Sequence, residues 1–171
     1  MKVIYSRKSN RCLSWDYSEN GKYFITICTQ YRKCILSDVI VGDGVLDVPE
    51  VRLTKYGKLC VKHIEAMNNA YSDIQTEKYI VMPNHIHMII TVDKHHGTSR
   101  TPSPTNELIP RYISTFKRLT NKKIGENIWE RSYHDHVIRD NRDYEKIWQY
   151  IDANASKWKN DCFYKEQEVK P

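Results

Sequence analysis

Between Tyr23 and Thr29 the chain runs through Phe24, Ile25, Thr26, Ile27 and Cys28, an aromatic and β-branched stretch that predicts a strand. Val39 to Val51 carries Gly42-Asp43-Gly44, which predicts a hairpin-like excursion. Behind Thr54, a candidate N-cap, Tyr56, Leu59, Cys60, Ile64 and Met67 recur at helical spacing as far as Asn68-Asn69. Residues 74–82 predict a second strand. Pro83-Asn84 then forms a turn into an apolar run in which Ile86, Met88, Ile90 and Val92 share the core face. In 106–123 the stripe Leu108, Ile109, Tyr112, Ile113, Phe116 and Leu119 lies beside a basic one, Arg111, Arg118 and Lys122. A strand follows over 128–138. A last helix opens at Asn141 or Asp143 and runs to about Trp158, with Tyr144, Ile147, Trp148, Ile151, Ala155 and Trp158 on its apolar side. This order predicts an α+β fold, an antiparallel sheet with helices packed on it.

The pattern divides into a basic arm over 1–20, one domain over 21–158 interrupted by a Ser/Thr/Pro-rich flexible loop at 94–105, and a tail over 159–171. A chain of 171 residues is long enough to bury one core. Its formal charge of +6 permits binding to a nucleic acid backbone without requiring it. The five cysteines form no C-x-x-C pair and are odd in number, which argues against a disulfide framework or zinc ribbon and for a reducing compartment. No apolar run approaches the roughly 20 residues that span a membrane, and no signal-peptide pattern opens the chain. A cytoplasmic protein is expected.

Within the apolar run, His85 and His87 project to the same side, away from the core face. Two adjacent imidazoles are half of a divalent-metal site. On the last helix Tyr150 and Asn154 lie four apart, with Lys157 further on, so a phenol, an amide oxygen and a cation stand in a row beside the apolar stripe. A rival histidine pair, His134 and His136, flanks Asp135 in a more polar strand. His95 and His96 fall in the flexible loop and are expected to face solvent. Tyr133 and Tyr144 are rival phenols, with Tyr144 on the core stripe.

Val81-Met82-Pro83-Asn84-His85-Ile86-His87-Met88-Ile89-Ile90, with the block from Trp129-Glu130-Arg131-Ser132-Tyr133 to Trp158 downstream, resembles the REP-associated tyrosine transposases. These are single-tyrosine members of the superfamily of insertion-sequence transposases named for a His–hydrophobic–His motif. The Tyr17 to Thr29 block, Leu53-Thr54-x-x-Gly57 and Ser114-Thr115-Phe116-Lys117-Arg118 resemble the same family, so the likeness extends from about Arg7 to Trp158. It implies a ferredoxin-like or RRM-like antiparallel sheet with the histidines on a central strand. It implies His85, His87 and Asn154 as metal ligands and Tyr150 as nucleophile. Relatives often carry proline where this chain has Ala155, which removes a helix stop but no functional group.

The resemblance further implies a metal-dependent single-stranded DNA transesterase that cuts and transfers strands at hairpin-forming repeats through a 5′-phosphotyrosine. Two imidazoles and an amide oxygen suit Mg²⁺ or Mn²⁺, with Mn²⁺ held more tightly. His136 is an accessory candidate, as base or DNA contact. Arg7, Lys8, Arg11, Arg118, Lys122 and Arg131 are candidate DNA contacts, and aromatic rings are candidate base-stacking partners. A monomer is expected, although insertion-sequence relatives work as dimers with the tyrosine donated across the interface. Two other readings stand beside this one: a domesticated hairpin-binding protein that no longer cuts, and a basic α+β domain binding RNA through sheet aromatics.

Overall fold

Residue alternation along two central strands sets the architecture. The computed structural model describes residues 19–40, 49–94 and 108–164. The basic arm with Arg7, Lys8 and Arg11, the Gly42-Asp43-Gly44 turn, most of the loop with His95 and His96, and the end of the tail lie outside the described residues. In β1 (Gly21–Cys28) Tyr23, Ile25 and Ile27 are fully buried, as are Ile86, Met88 and Ile90 in β5 (His85–Val92). The two strands pair antiparallel, Thr26 opposite His87 and Cys28 opposite His85. Their inward residues make one apolar surface. Helices α1 (Lys55–Ala70) and α2 (Leu108–Ile124) cover it with Cys60, Ile64, Met67, Tyr112, Ile113 and Phe116.

β4 (Ile74–Val81) flanks β5, and β6 (His134–Ile138) flanks β1, giving the antiparallel order β4-β5-β1-β6. With α1 between β1 and β4 and α2 between β5 and β6, this is the split β-α-β arrangement of ferredoxin-like folds, as the sequence predicts. The expected hairpin excursion is β2 (Ser37–Ile40) paired with β3 (Glu50–Leu53). Thr54 caps α1 as expected, accepting from the Tyr56 and Gly57 amides at 3.2 Å each. Its hydroxyl also donates to the Ile35 carbonyl at 2.6 Å. A Cβ on Gly57 would stand 2.1 Å from the Leu36 carbonyl oxygen, so this close approach of helix to backbone demands glycine.

Three expectations need correction. The last strand begins at His134 rather than 128, and before it only Trp129 bridges to Thr29. The reason is Lys117, whose ammonium donates to the carbonyls of Glu130 and Ser132 at 2.8 Å each and Arg131 at 3.4 Å. Those carbonyls are turned to a buried cation instead of a neighbouring strand, and Lys117 is not disposed to track a phosphate backbone. The last helix, α3 (Asn141–Ala153), stops short of Trp158. Its N-cap is Asp140, whose carboxylate accepts from the Asp143 amide at 2.8 Å, and its C-cap is Asn154. Tyr144, placed on the core stripe from its spacing, is only half-buried: its hydroxyl donates to Glu77 Oε2 at 3.1 Å and the Lys22 ammonium lies 4.9 Å from its ring centre. Among the described residues no helix is long and apolar enough to cross a membrane.

Candidate active site

The outward face of β1 and β5 carries the site, and α3 lies across it. A register shift at Glu77 in β4 lets that carboxylate accept from Lys22, from Thr91 Oγ1 at 2.7 Å and from Tyr144. Next to it, Lys78 pairs with Asp152 at 2.5 Å and sits 3.9 Å from the Trp148 ring centre. These contacts dock α3 on its own sheet, on the face opposite α1 and α2, and Tyr150 comes over β5 in consequence.

His85 and His87 were expected away from the core, yet they are 0% and 1% exposed. Their rings stand 4.4 Å apart, roofed by Tyr150 at 5.2 Å from His87 and by Trp158 and Phe163 at 6.0 and 4.9 Å from His85. After Asn154 the chain turns back on itself through a single 3-10 turn at Trp158–Asn160. Lys157, in line with Tyr150 on an unbroken helix, is exposed on this turn instead.

Asn84 sets the proton on His85. Its Nδ2 donates to the Phe163 carbonyl at 2.7 Å and the Arg32 carbonyl at 3.3 Å. Its Oδ1 therefore faces His85 Nδ1, 2.9 Å away. A carboxamide oxygen only accepts, so Nδ1 carries the proton and Nε2 keeps its lone pair. His87 Nδ1 meets the Thr26 hydroxyl at 2.8 Å, and its Nε2 lies 3.2 Å from the Tyr150 hydroxyl. Burial pushes His85 down to about 3, with the Arg32 charge adding to the effect. Burial also holds His87 well below the usual histidine range, seconded by His85 and opposed by Asp161. Both imidazoles are thus neutral ligands at neutral pH.

Two donors at the site are buried without a hydrogen-bond partner: His85 Nε2 and Asn154 Oδ1. The Asn154 amide is oriented by its Nδ2, which donates to Asp161 Oδ2 at 3.4 Å. Burying such acceptors unpaired is unfavourable, and a cation bound between them would satisfy both. Asp161 adds a carboxylate: it, His85 and His87 offer ligand atoms all within 4.8 Å of one another. Two imidazoles, a carboxylate and an amide oxygen fit a divalent cation.

Tyr150 stands at the edge of this cluster, 39% exposed. Its hydroxyl also donates to Asp161 Oδ2 at 3.4 Å. Burial, then the Asp161 charge, push the phenol up to about 12, against an Asn154 hydrogen bond that lowers it. Phe24, outward on β1, stacks on His87 at 5.2 Å and meets Tyr150 edge-on at 6.0 Å.

The structure therefore brings together His85, His87, Tyr150 and Asn154 from separate parts of the sequence. It does not add His136, whose Nε2 is 2.7 Å from Asp143 Oδ2 at the start of α3. Tyr133 is buried in the core cluster. Arg118 and Lys122 are exposed on α2, the far side of the sheet, and Arg131 is exposed before β6. Sequence reasoning missed Phe24, Thr26, Asn84 and Asp161. The first two were open to it, since period-two alternation puts them on the outward face of β1. Asp161, alone in a tail with no periodicity, gave no signal.

Residues 17–154 match the sequence pattern of the IS200-like transposases. The chain belongs to this transposase family. A protein of uncharacterised function from Haemophilus influenzae is 27% identical over 177 aligned positions, covering 94% of each chain. A second protein of that organism, described as a candidate REP-associated tyrosine transposase, is 24% identical over 148 positions, covering 83% of this chain and 74% of its own length. The fold is similar to that of a REP-associated tyrosine transposase solved bound to a REP hairpin: TM-score 0.59, 20% identity, covering 91% of this chain and 74% of that one.

Proposed function

We propose that this transposase-family protein is a metal-dependent single-stranded DNA transesterase, with Tyr150 as nucleophile and hairpin-forming repeats as substrate. One observation carries the reading: two buried, unpartnered donors, His85 Nε2 and Asn154 Oδ1, lie in a cluster whose His87 touches a phenol. A divalent cation, Mg²⁺ or Mn²⁺, held by His85, His87, Asn154 and Asp161 would supply Lewis-acid polarisation of the phosphodiester.

The chain's own residues do the rest. Phe24 and Asp161 hold the Tyr150 ring and hydroxyl over β5. The phenol oxygen attacks phosphorus, the tyrosine–phosphorus bond forms, and the bond to the 3′ oxygen breaks. The electron pair leaves with that oxygen, which takes a proton and becomes a free 3′-OH, while the phenol gives its proton up. One phosphate ester is exchanged for another, so the step needs no ATP, and its reversal joins a strand. Because Glu77, Lys78, Tyr144 and Trp148 dock α3 on its own sheet, Tyr150 acts in the chain that carries it, and a monomer suffices. The unit that does so is residues 21–158 extended to Asp161 and Phe163. The hairpin bound by the structural neighbour is the substrate class we carry over.

The deciding experiment is a denaturing gel of the protein with single-stranded hairpin oligonucleotides from repeats flanking its gene, with Mn²⁺ or EDTA. A covalent adduct that needs Mn²⁺ and vanishes in Tyr150→Phe is expected. Tight binding with no adduct would replace this reading by that of a non-cleaving hairpin-binding protein, a role the raised Tyr150 phenol also fits.

A further inference from the structure

Past the end of β1 the backbone does something costly for no local reason of sequence. Tyr31 and Arg32 both take positive φ, 58° and 56°, the left-handed region that bulky side chains avoid and glycine favours. Two such residues in succession mark a position held by its surroundings, and strained positions concentrate at binding sites. For Arg32 the gain is visible: its Nε pairs with Glu130 at 3.2 Å and its guanidinium lies 4.2 Å from the Phe163 ring centre, next to His85. Tyr31 gains no burial in exchange, since 71% of its surface is exposed.

Tyr31 borders a cleft of about 680 Å³, lined also by Gln30, Lys117, Trp129, Arg131 and Ser132. Its chemistry is aromatic and cationic together. Trp129 and Tyr31 supply ring surface, the exposed Arg131 supplies a mobile guanidinium, and the Lys117 ammonium lies in the wall, tied to backbone carbonyls. Exposed aromatic rings beside cations are what unpaired bases and their phosphates bind, by stacking and by charge. The cleft adjoins the tyrosine site: Trp129 is bridged to Thr29, one residue from Cys28, which pairs with His85. Two strand spacings, roughly 10 Å, separate the two backbones.

We propose that this cleft is a subsite for one unpaired nucleobase beside the scissile phosphate, stacked on the Tyr31 ring with its phosphate against Arg131. It would select the nucleotide flanking the cut, a task none of the metal-site residues performs. The subsite rests on the transesterase reading for its substrate class, but its binding does not need the reaction. The left-handed turn at Tyr31 then has a role, which is to hold the ring out over the cleft rather than let it fold onto the protein.

The test uses the full-length protein in EDTA, so that no cutting occurs, with fluorescein-labelled hairpin oligonucleotides from the flanking repeats bearing single-stranded tails. Binding is read by anisotropy while each tail position in turn is made abasic. Tyr31→Ala is expected to bind about tenfold more weakly and Tyr31→Phe as wild type, since the ring and not the hydroxyl stacks. At one tail position the abasic strand should bind wild type and Tyr31→Ala equally. Tyr31→Gly should lose the same affinity while raising the melting temperature, because glycine accepts the positive φ.

Wild-type affinity in Tyr31→Ala, or a loss equal at every abasic position, would overturn the subsite while leaving Tyr150 adduct formation intact. Selective loss at one position in a protein that never forms an adduct would keep the subsite and overturn the transesterase. A wild type that binds no single strand would overturn both.

Discussion

Asn84 Oδ1 accepts from His85 Nδ1 at 2.9 Å, and this bond decides which nitrogen of His85 is free to bind a metal. The same side chain ties the Phe163 and Arg32 carbonyls, so one buried amide joins the histidine strand, the turn after β1 and the returning tail. Asn84→Ala should weaken Mn²⁺ binding by roughly 10- to 100-fold, the usual cost of losing the partner that orients a ligating imidazole. Asn84→Asp, which keeps an acceptor, should lose less. Calorimetric titration with Mn²⁺ checks both, and equal affinities in wild type and Asn84→Ala would refute the assignment.

The buried histidines make stability depend on acid. Unfolded, His85 titrates near pH 6.5; folded, burial holds it down to about 3. Between those values the unfolded chain binds the extra proton, so stability is full above about pH 6.5 and is lost as pH falls toward 3. His87, lowered in the same direction, adds to the loss. Urea midpoints without metal should fall steadily from pH 7 to 4.5, and a His85→Gln variant should fall less. From pH 6.5 to 8, Mn²⁺ binding should release no proton from these rings, which titrations in buffers of different ionisation enthalpy would show.

Phe24 stacks on His87 and meets Tyr150 edge-on, so it aligns a ligand with the nucleophile. Phe24→Ala should slow adduct formation by roughly 10- to 100-fold, the range that small misplacements of reacting groups cost. Mn²⁺ affinity should change less than the rate. A variant with normal rate and weakened metal binding would assign Phe24 to the metal alone.

Gly57→Ala should destabilise the protein by about 3 kcal/mol, because its methyl meets the Leu36 carbonyl at 2.1 Å and backbone must shift to admit it. Thr54→Ala, which removes only the cap, should cost about 1 kcal/mol. Denaturant unfolding of the two variants ranks them, and a neutral Gly57→Ala would mean that α1 can move away from Leu36 freely.

The elements with strong periodicity were legible in the sequence. Tyr23 to Thr29 and Ile86 to Val92 alternate because one face packs on α1 and α2, and Thr54 stops the hairpin and starts a helix by a side-chain bond that any reader of Thr-x-x-Gly can anticipate. What was not legible depends on contacts between distant residues. Lys117 takes the carbonyls that would have extended β6, and no pattern in 128–133 announces it. Tyr144 has the spacing of a core residue, but the shift at Glu77 gives its hydroxyl a carboxylate and brings it to the surface. The site was half legible for the same reason. His85, His87, Tyr150 and Asn154 lie on regular elements with the family's spacing, whereas Asp161 reaches them only because the tail doubles back.

That reversal separates kinship from anatomy. The family pattern ends at residue 154, yet the chain returns to the histidines through Asp161 and Phe163. An expression clone trimmed to the inherited boundary would keep every motif residue and lose a carboxylate, an aromatic roof and the carbonyl that anchors Asn84. Its histidines would meet water, its metal preference would follow three donors instead of four, and its behaviour would describe the ancestor's portion of the enzyme more than this one.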